Sequence, residues 1–469
     1  MQGTRRPATG HDDAVAAVQA SYRAIAPGDP VRLAKKTSNL FRPRSSSSSP
    51  GLAVSQLDGV ISVDPTTRTA DVQGMCTYES LVGATLEHDL MPLVVPQLKT
   101  ITLGGAVTGL GIESTSFRHG LPHESVLEMD ILTGDGDIVT ARPDGEHADL
   151  FHAFPNSYGS LGYALRLRIE LQPVGAYVAL RHVRFGDLDE LVRAVDAICR
   201  EHAYDGESVD FLDGVMFSPR ESYLTLGRFV DEVTESGLSA PSDYTGQQIY
   251  YRSIRERNRD VLTVHGYIWR WDTDWFWCSQ AFGAQHPTLR RLWPTRYRRS
   301  DVYHCIVGFE SRYAVMARID RLRGRPGRER VVQDVEIPVQ RIADFLRWFD
   351  GRVGMRPVWL CPLMLREATG PGSGLQWPLY PLDPGQVYVN AGFWGMVPIQ
   401  PGRSDGDVNT MVERSVADHR GHKSLYSDAY YEEDRFYAIY GGETYRAVKK
   451  RYDSAGRLLG LYEKAVGGR

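Results

Sequence analysis

The sequence predicts an α+β fold of two or three domains, on three observations. Its 469 residues are 42% hydrophobic and 24% charged, an ordinary balance for a chain able to bury large cores. Short strand-like runs end in turn residues, as where Glu128-Met129-Asp130-Ile131-Leu132 meets Thr133-Gly134-Asp135-Gly136, a pattern of strands closed by tight turns. Beyond residue 175 the order is strand (177–185), helix (188–201), strand (208–217), strand (222–230), which fits an antiparallel sheet covered by helices.

Along the chain, residues 11–26 predict an amphipathic helix, because Val15, Val18, Tyr22 and Ile25 recur at three- and four-residue steps. Residues 31–42 read as a strand entering a polar loop. Ser45 to Ser49 with Pro50-Gly51 form a low-complexity loop without packing capacity. Short segments follow at 52–55, 59–64 and 70–74, then a helix over 78–88 and the apolar run Pro92-Leu93-Val94-Val95-Pro96. A strand starts at Val126, and segments 149–153 and 159–170 bring the first domain to its end near Gln172-Pro173-Val174-Gly175. Further on, 335–349 repeats strand then helix, with Ile342, Phe345, Leu346 and Phe349 on one face.

The most informative segment is Leu103-Gly104-Gly105-Ala106-Val107-Thr108-Gly109-Leu110-Gly111-Ile112-Glu113-Ser114. Glycines without Cβ atoms let the backbone turn tightly, tolerate positive φ and aim successive N–H groups at one anion. The segment is either a tight loop without a ligand or a pyrophosphate cradle. Gly109, Gly111 and Ser114 also fit GxGxxS, with Asp130 downstream. A dinucleotide fingerprint, however, needs a buried strand before the first glycine and a crossover helix after it. Thr100 to Gly105 is too broken for that strand, and His119-Gly120-Leu121-Pro122 interrupts any helix.

The order of these segments over roughly residues 10–175 resembles the FAD-binding domain of the vanillyl-alcohol-oxidase and p-cresol-methylhydroxylase (PCMH) type. Val331-Val332-Gln333-Asp334, Pro357 to Pro362, Leu425 to Tyr430 and Gly109 to Ser116 resemble segments of the delta-24-sterol reductases, the Diminuto/seladin group. With them the resemblance extends over most of the chain. It implies a PCMH-type FAD-binding domain at 1–175, an α+β cap or substrate domain with an antiparallel sheet at 176–440, and a segment at 441–469 that returns to the FAD domain. The activity implied is reduction of an isolated C=C bond in a lipid, with NADPH or NADH visiting transiently or a partner protein delivering the electrons.

The resemblance assigns FAD to Gly104, Gly105, Gly109, Gly111, Glu113, Ser114 and Ser116, with Ser114 and Ser116 as hydroxyl donors. Lys36, Thr37, Ser38 and Asn39 form the facing loop, where the family often has an RGxGHS-like sequence. The missing histidine removes one usual covalent anchor, so noncovalent FAD is expected. Gly159, Ser160, Leu161 and Gly162 would pack against the adenine side or the ribityl chain; the bland alternative is a plain turn into a strand. Glu113 is read either as a catalytic acid or as a carboxylate facing the ribose or an arginine, with Arg118 a candidate partner.

An unactivated alkene has no carbonyl to polarise, so a proton must reach one carbon while hydride reaches the other. The candidate acids are Asp428 and Tyr430, which share a face if 425–431 is a strand, together with Lys423 and Asp334. His265, His304 and Tyr388 are weaker candidates. For each, the competing role is a hydrogen-bonded core or rim residue. His119 and His123 have helical spacing, but Gly120 and Pro122 forbid a regular helix between them, so no metal is expected. Trp269, Trp271, Trp275 and Trp277, followed by arginines at 290, 291, 296, 298 and 299, read either as a membrane-facing mouth for a lipid or as an aromatic seam in the cap. Their odd numbering suits one face of a strand.

Net charge is −4, which gives no case for nucleic acid. Five widely spaced cysteines without a CxxC pair argue for a reducing compartment. The polar N-terminus and the lack of a long apolar run predict a cytoplasmic protein, peripheral to the membrane if the aromatic mouth exists. Arginine outnumbers lysine, the habit of a GC-rich bacterial genome, so a methylene-branched fatty acyl chain stands beside a sterol side chain as substrate. The rivals are an FAD oxidase or dehydrogenase of an alcohol or hydroxy acid, and a flavin fold kept for binding without turnover.

Overall fold

The computed structural model describes residues 10–35, 41, 51–313 (backbone only over 307–313), 326–366 and 377–466. Two antiparallel sheets dominate. The first joins β1 (Val60–Asp64), β2 (Thr69–Gln73), β3 (Leu90–Pro92), β4 (Val126–Leu132), β5 (Ile138–Ala141) and β6 (Tyr163–Pro173) in the order β1-β2-β6-β4-β5, with β3 paired to β6. Helices α1 (His11–Ala24), α2 (Tyr78–Leu86) and α3 (Leu103–Gly109) belong to this half of the chain. The helix expected at 11–26 is therefore present, with Val18 and Ile25 buried.

The second sheet has eight strands: β7 (Tyr177–Phe185), β10 (Phe211–Ser218), β11 (Glu221–Val230), β12 (Arg259–Thr263), β13 (Arg328–Pro338), β14 (Val358–Leu363), β15 (Tyr388–Pro398) and β16 (His422–Lys423). The order is β12-β7-β11-β10-β14-β15-β13-β16. A two-strand ladder, β8 (Ala203–Tyr204) with β9 (Glu207–Ser208), lies apart. Among the described residues every strand pairing in both sheets is antiparallel.

Period-2 alternation divides the second sheet into two faces. Leu212, Met216, Val331, Val335, Ile337, Val358, Leu360, Val389, Ala391 and Phe393 pack in one core with the helices Leu188–Glu201, Val339–Arg352 and Asp407–Asp418. The alternate residues face the other way. Phe211, Val215, Trp359 and Cys361 enter a second core with Trp271, Trp275, Phe276 and Trp277. Asp213, Asp334, Glu336, Asn390, Gly392 and Trp394 share this face by alternation, so it carries the sheet's polar chemistry.

The tryptophan segment is no strand. Residues 270–277 run as successive turns, and Trp275 and Phe276 have φ of 45° and 60°. Trp269, Trp271, Trp275 and Trp277 are all buried, Trp271 to 1% exposure. Four indoles inside a core cannot form a membrane mouth, and the aromatic-seam reading is the one the structure supports. The helices Gly442–Tyr452 and Leu461–Ala465 pack into the core of the first sheet through Tyr445, Val448, Tyr452, Leu461 and Ala465.

Candidate functional site

Three loops converge beside α3. Thr102 caps the helix, its Oγ1 accepting the Gly105 N–H at 3.2 Å. Lys35 Nζ reaches the same oxygen at 3.5 Å, which brings the start of the facing loop to the first turn of α3. Lys36, Thr37, Ser38 and Asn39 themselves lie outside the described residues. At the other end of α3, Tyr158 donates its hydroxyl to the Gly109 carbonyl at 2.7 Å and its N–H to the Thr108 carbonyl at 2.9 Å. A Cβ on Gly109 would lie 3.2 Å from the Tyr158 ring, and one on Gly111 2.9 Å from Pro96. Both glycines therefore permit close approach.

The first turn of α3 does not present free N–H groups. Leu103 donates to the Cys76 carbonyl, Gly104 to the Gly74 carbonyl at 3.0 Å, Gly105 to Thr102 and Ala106 to the Thr102 carbonyl. A Cβ on Gly104 would sit 2.6 Å from the Gly74 oxygen. The donor role expected of Gly104 and Gly105 is thus taken by internal bonds, and Gly104 serves backbone packing.

Glu113, Ser114 and Ser116 also differ from expectation. All three are buried. Ser114 Oγ donates to Glu113 Oε1 at 2.5 Å and lies 2.8 Å from the Tyr267 hydroxyl, while Ser116 Oγ accepts the Glu113 N–H. The partner of Glu113 is Arg270 at 3.2 Å; Arg118 pairs with Asp210 instead. Arg270 also binds Asp213 at 2.9 Å and lies 3.9 Å over the Tyr267 ring. The Leu212 N–H donates to the Ser114 carbonyl at 2.7 Å. This group therefore bolts the glycine segment to the second sheet and leaves no hydroxyl aimed at a phosphate. Burial pushes the Glu113 carboxyl up to about 7 against the pull of Arg270, so one proton is readily held in the cluster.

Gly159 and Gly162 form the turn into β6, with φ of 72° and 147°. Lys464 Nζ donates to the carbonyls of Tyr158 (3.1 Å) and Gly159 (2.7 Å), and Lys449 Nζ to that of Ser160 (3.0 Å). Ser160 Oγ is consumed by the Ser157 carbonyl, and Leu161 is core. Asn156 and Tyr158 have φ of 62° and 50°, a backbone bent as in anion-binding nests. Asn156 Oδ1, Ser157 Oγ and Gln97 Nε2 are buried without a hydrogen-bond partner among the described residues. Buried polar atoms are normally paired, so these atoms fit an elongated polar group lying along α3, the 156–160 loop and Lys35.

The polar sheet face meets this region. Asp334 stands opposite Gly392, where a Cβ would come within 2.4 Å of Asp334 Oδ1. Asn390 Nδ2 donates to Asp334 Oδ1 at 2.9 Å. Burial raises the Asp334 carboxyl to about 6, with Asn390, Tyr426 and Trp394 as hydrogen-bond donors offsetting part of the shift. Trp394 Nε1 donates to the Tyr426 hydroxyl at 2.8 Å, and burial beside Asp334 keeps that phenol protonated. Asp334, Tyr426 and Trp394 are only half-buried, as are Phe41, Tyr158 and Gly109 to Ile112. The Phe41 N–H donates to the Tyr426 carbonyl at 2.9 Å, and its ring stacks on Trp275 at 5.5 Å. Behind Asp334, Glu336 is fully buried, bonded by Ser424 Oγ at 2.9 Å and pushed well up by burial.

The other candidate acids belong elsewhere. Segment 425–431 is irregular, with a single bridge between Phe41 and Ser427, so Asp428 and Tyr430 do not share a strand face. Asp428 is engaged by Arg330 at 2.7 Å. The Tyr430 N–H bonds Glu413, and Lys423 forms a buried ion pair with the same carboxylate at 2.7 Å. Tyr388 accepts the Asp383 N–H. His304 packs edge-on to Phe41 and Trp275. Sequence reading missed Tyr426, Asn390 and Glu336. For Glu336 and Asn390 the available signal was polar residues two apart on one face of otherwise apolar strands, Asp334 and Glu336 in β13 and Asn390 between Val389 and Ala391 in β15; Tyr426 lies in no strand and left no such signal.

Residues 8–142 match the family described as an FAD binding domain. Over more of its length the chain is similar to Delta(24)-sterol reductases. It is 25% identical to that of Rattus norvegicus, across 79% of this chain and 69% of the relative. The Homo sapiens protein is 24% identical across 86% and 74%, and the Arabidopsis thaliana protein 24% identical across 87% and 75%.

Proposed function

We propose that this FAD-dependent oxidoreductase reduces an isolated carbon–carbon double bond in a lipid, either a sterol side chain or a methylene-branched fatty acyl chain, with NADPH or NADH as the source of electrons. The observation that carries the reading is Asp334. It is a protonatable carboxyl, half-buried among aromatic rings, on the sheet face that meets the glycine segment. The names of the similar proteins support the reaction class.

Bound FAD supplies the hydride and the electron storage. The described residues that fit it are Lys35, Gln97, Gly109 to Ile112 and Asn156 to Ser160, with Lys36 to Asn39 as further proposed contacts. Asp334 holds the proton that an unactivated alkene needs, and Asn390 fixes the orientation of its carboxyl. The Tyr426 hydroxyl, bonded by Trp394, donates to Asp334, while the Tyr426 backbone carbonyl accepts the Phe41 N–H and fixes the residue's place. The rings of Phe41, Trp275 and Trp394 offer an apolar wall and keep water from competing for that proton. The sum is alkene, NAD(P)H and one proton giving the saturated lipid and NAD(P)+.

The test is anaerobic reduction with NADPH or NADH, followed by mixing with a side-chain-unsaturated sterol or a methylene-branched fatty acid while flavin absorbance is followed. Reoxidation with formation of the saturated lipid is expected. Reduction of the oxidised flavin by an alcohol or hydroxy acid, with no response to either alkene, overturns the reading in favour of an oxidase or dehydrogenase. Inertness to all of them points to a flavin fold without turnover.

A further inference from the structure

Half of the six large apolar side chains exposed among the described residues fall within nine consecutive positions: Leu289 at 49%, Leu292 at 75% and Tyr297 at 45% exposure. Arg291 and Arg296 are exposed between them. Residues 286–300 contain no aspartate or glutamate, and neither arginine forms an ion pair with a described residue. The Arg296 guanidinium lies over the Tyr297 ring at 4.7 Å. The local charge is therefore positive in a chain whose net charge is −4.

The other three arginines point inward and hold the segment rigid. Arg290, 1% exposed, pairs with Asp274 at 2.6 Å and donates to the Gly246 and Gln248 carbonyls. Arg298 donates to the carbonyls of Thr245 and Trp293, and Arg299 pairs with Glu79 at 2.8 Å. Trp293 packs onto Tyr303, part of the aromatic core that reaches Phe41 and Trp394. A fixed scaffold thus displays two leucines, a tyrosine and two guanidinium groups without a carboxylate partner among the described residues. Loose surface leucines need no explanation singly, but apolar tips interleaved with such arginines suit one surface in particular, the headgroup layer of an anionic bilayer.

We propose that residues 287–297 dock the protein on an anionic membrane surface, with Leu289, Leu292 and Tyr297 entering the interface and Arg291 and Arg296 meeting lipid phosphates. The physiological purpose rests on the lipid-reductase reading; the binding itself does not. The test is sedimentation with phosphatidylcholine vesicles, with and without phosphatidylglycerol. Wild-type protein is expected to bind the anionic vesicles and to be released by salt. Leu289→Ser with Leu292→Ser, and separately Arg291→Glu with Arg296→Glu, should each lower binding by at least about tenfold. Flavin absorbance and solution mass should stay unchanged. Leu459→Ser, at an exposed leucine elsewhere, should bind as wild type. Wild-type protein that stays in the supernatant with both vesicles overturns the proposal, as do patch variants that bind normally. A wild-type dimer that the leucine variant splits without loss of vesicle binding overturns it too, and makes the patch a self-association face. Failure of the reductase assay leaves vesicle binding untouched, so the two readings fail separately.

Discussion

Asp334 owes its freedom to the residue opposite. The missing Cβ of Gly392 leaves space for Oδ1, while Asn390 holds that oxygen from the side. If this carboxyl is the acid, Asp334→Asn should leave the nicotinamide half-reaction near normal, because that step moves hydride only. The flavin-to-alkene step should slow by about 10²–10⁴-fold. In wild-type protein the same step should decline as pH rises through about 6, where the proton is lost. Stopped-flow measurement of both half-reactions at several pH values separates these outcomes. Equal loss in both steps would mean damage to the cofactor site.

The same shift is a statement about stability. A carboxyl raised from 3.8 to about 6 by folding stabilises the fold fully below its unfolded value. That contribution is lost as pH climbs through the folded value, and its ceiling is about 3 kcal/mol. Asp334→Asn removes the penalty of a partly buried negative charge. Its melting temperature relative to wild type should therefore improve between pH 5 and pH 8. A difference that is flat across this range would show that the carboxyl is not perturbed.

Elements with clear periodicity were legible in the sequence. The strands at 177–185 and 221–230 and the helix at 188–201 lie where the sequence placed them, because the strands are covered on both faces by apolar cores and the helix buries one face against the same sheet. Asp428 and Tyr430 would have shared a face only if 425–431 were a strand, and its backbone is instead claimed by Phe41 and Glu413 and pairs with no neighbouring strand among the described residues. The tryptophan run misled for a related reason: spacing reports a face and not what covers it. Glu113 and Asp213, a hundred residues apart, meet only through Arg270, a contact that no local pattern encodes. Arg270→Met should cost about 3–5 kcal/mol, since it leaves two buried carboxyl groups without their shared cation. Thermal unfolding checks this, and Glu113→Gln in the same background should recover part of the loss.

Across the whole molecule, no described helix is long and apolar enough to cross a membrane. FAD should be held without a covalent bond. The purified protein should be yellow, and acid precipitation should release the flavin to the supernatant; flavin left in the pellet would contradict this. The FAD-type fold of the first domain could be read from segment order, and the return of the 441–469 segment from resemblance, whereas the grip of Lys449 and Lys464 on the turn more than 280 positions earlier could not, because lysine-to-carbonyl bonds leave no periodic trace.

Those bonds also set a clock on assembly. The turn around Tyr158 to Ser160 is gripped by Lys449 and Lys464, so during translation the first domain is made long before its own clasp exists. A nascent chain halted after residue 440 should carry a folded first sheet yet stay colourless. Flavin capture should begin only after the ribosome has passed Lys464. Arrested chains of increasing length, assayed for flavin fluorescence, would record that moment, and early colour would show that the clasp is dispensable.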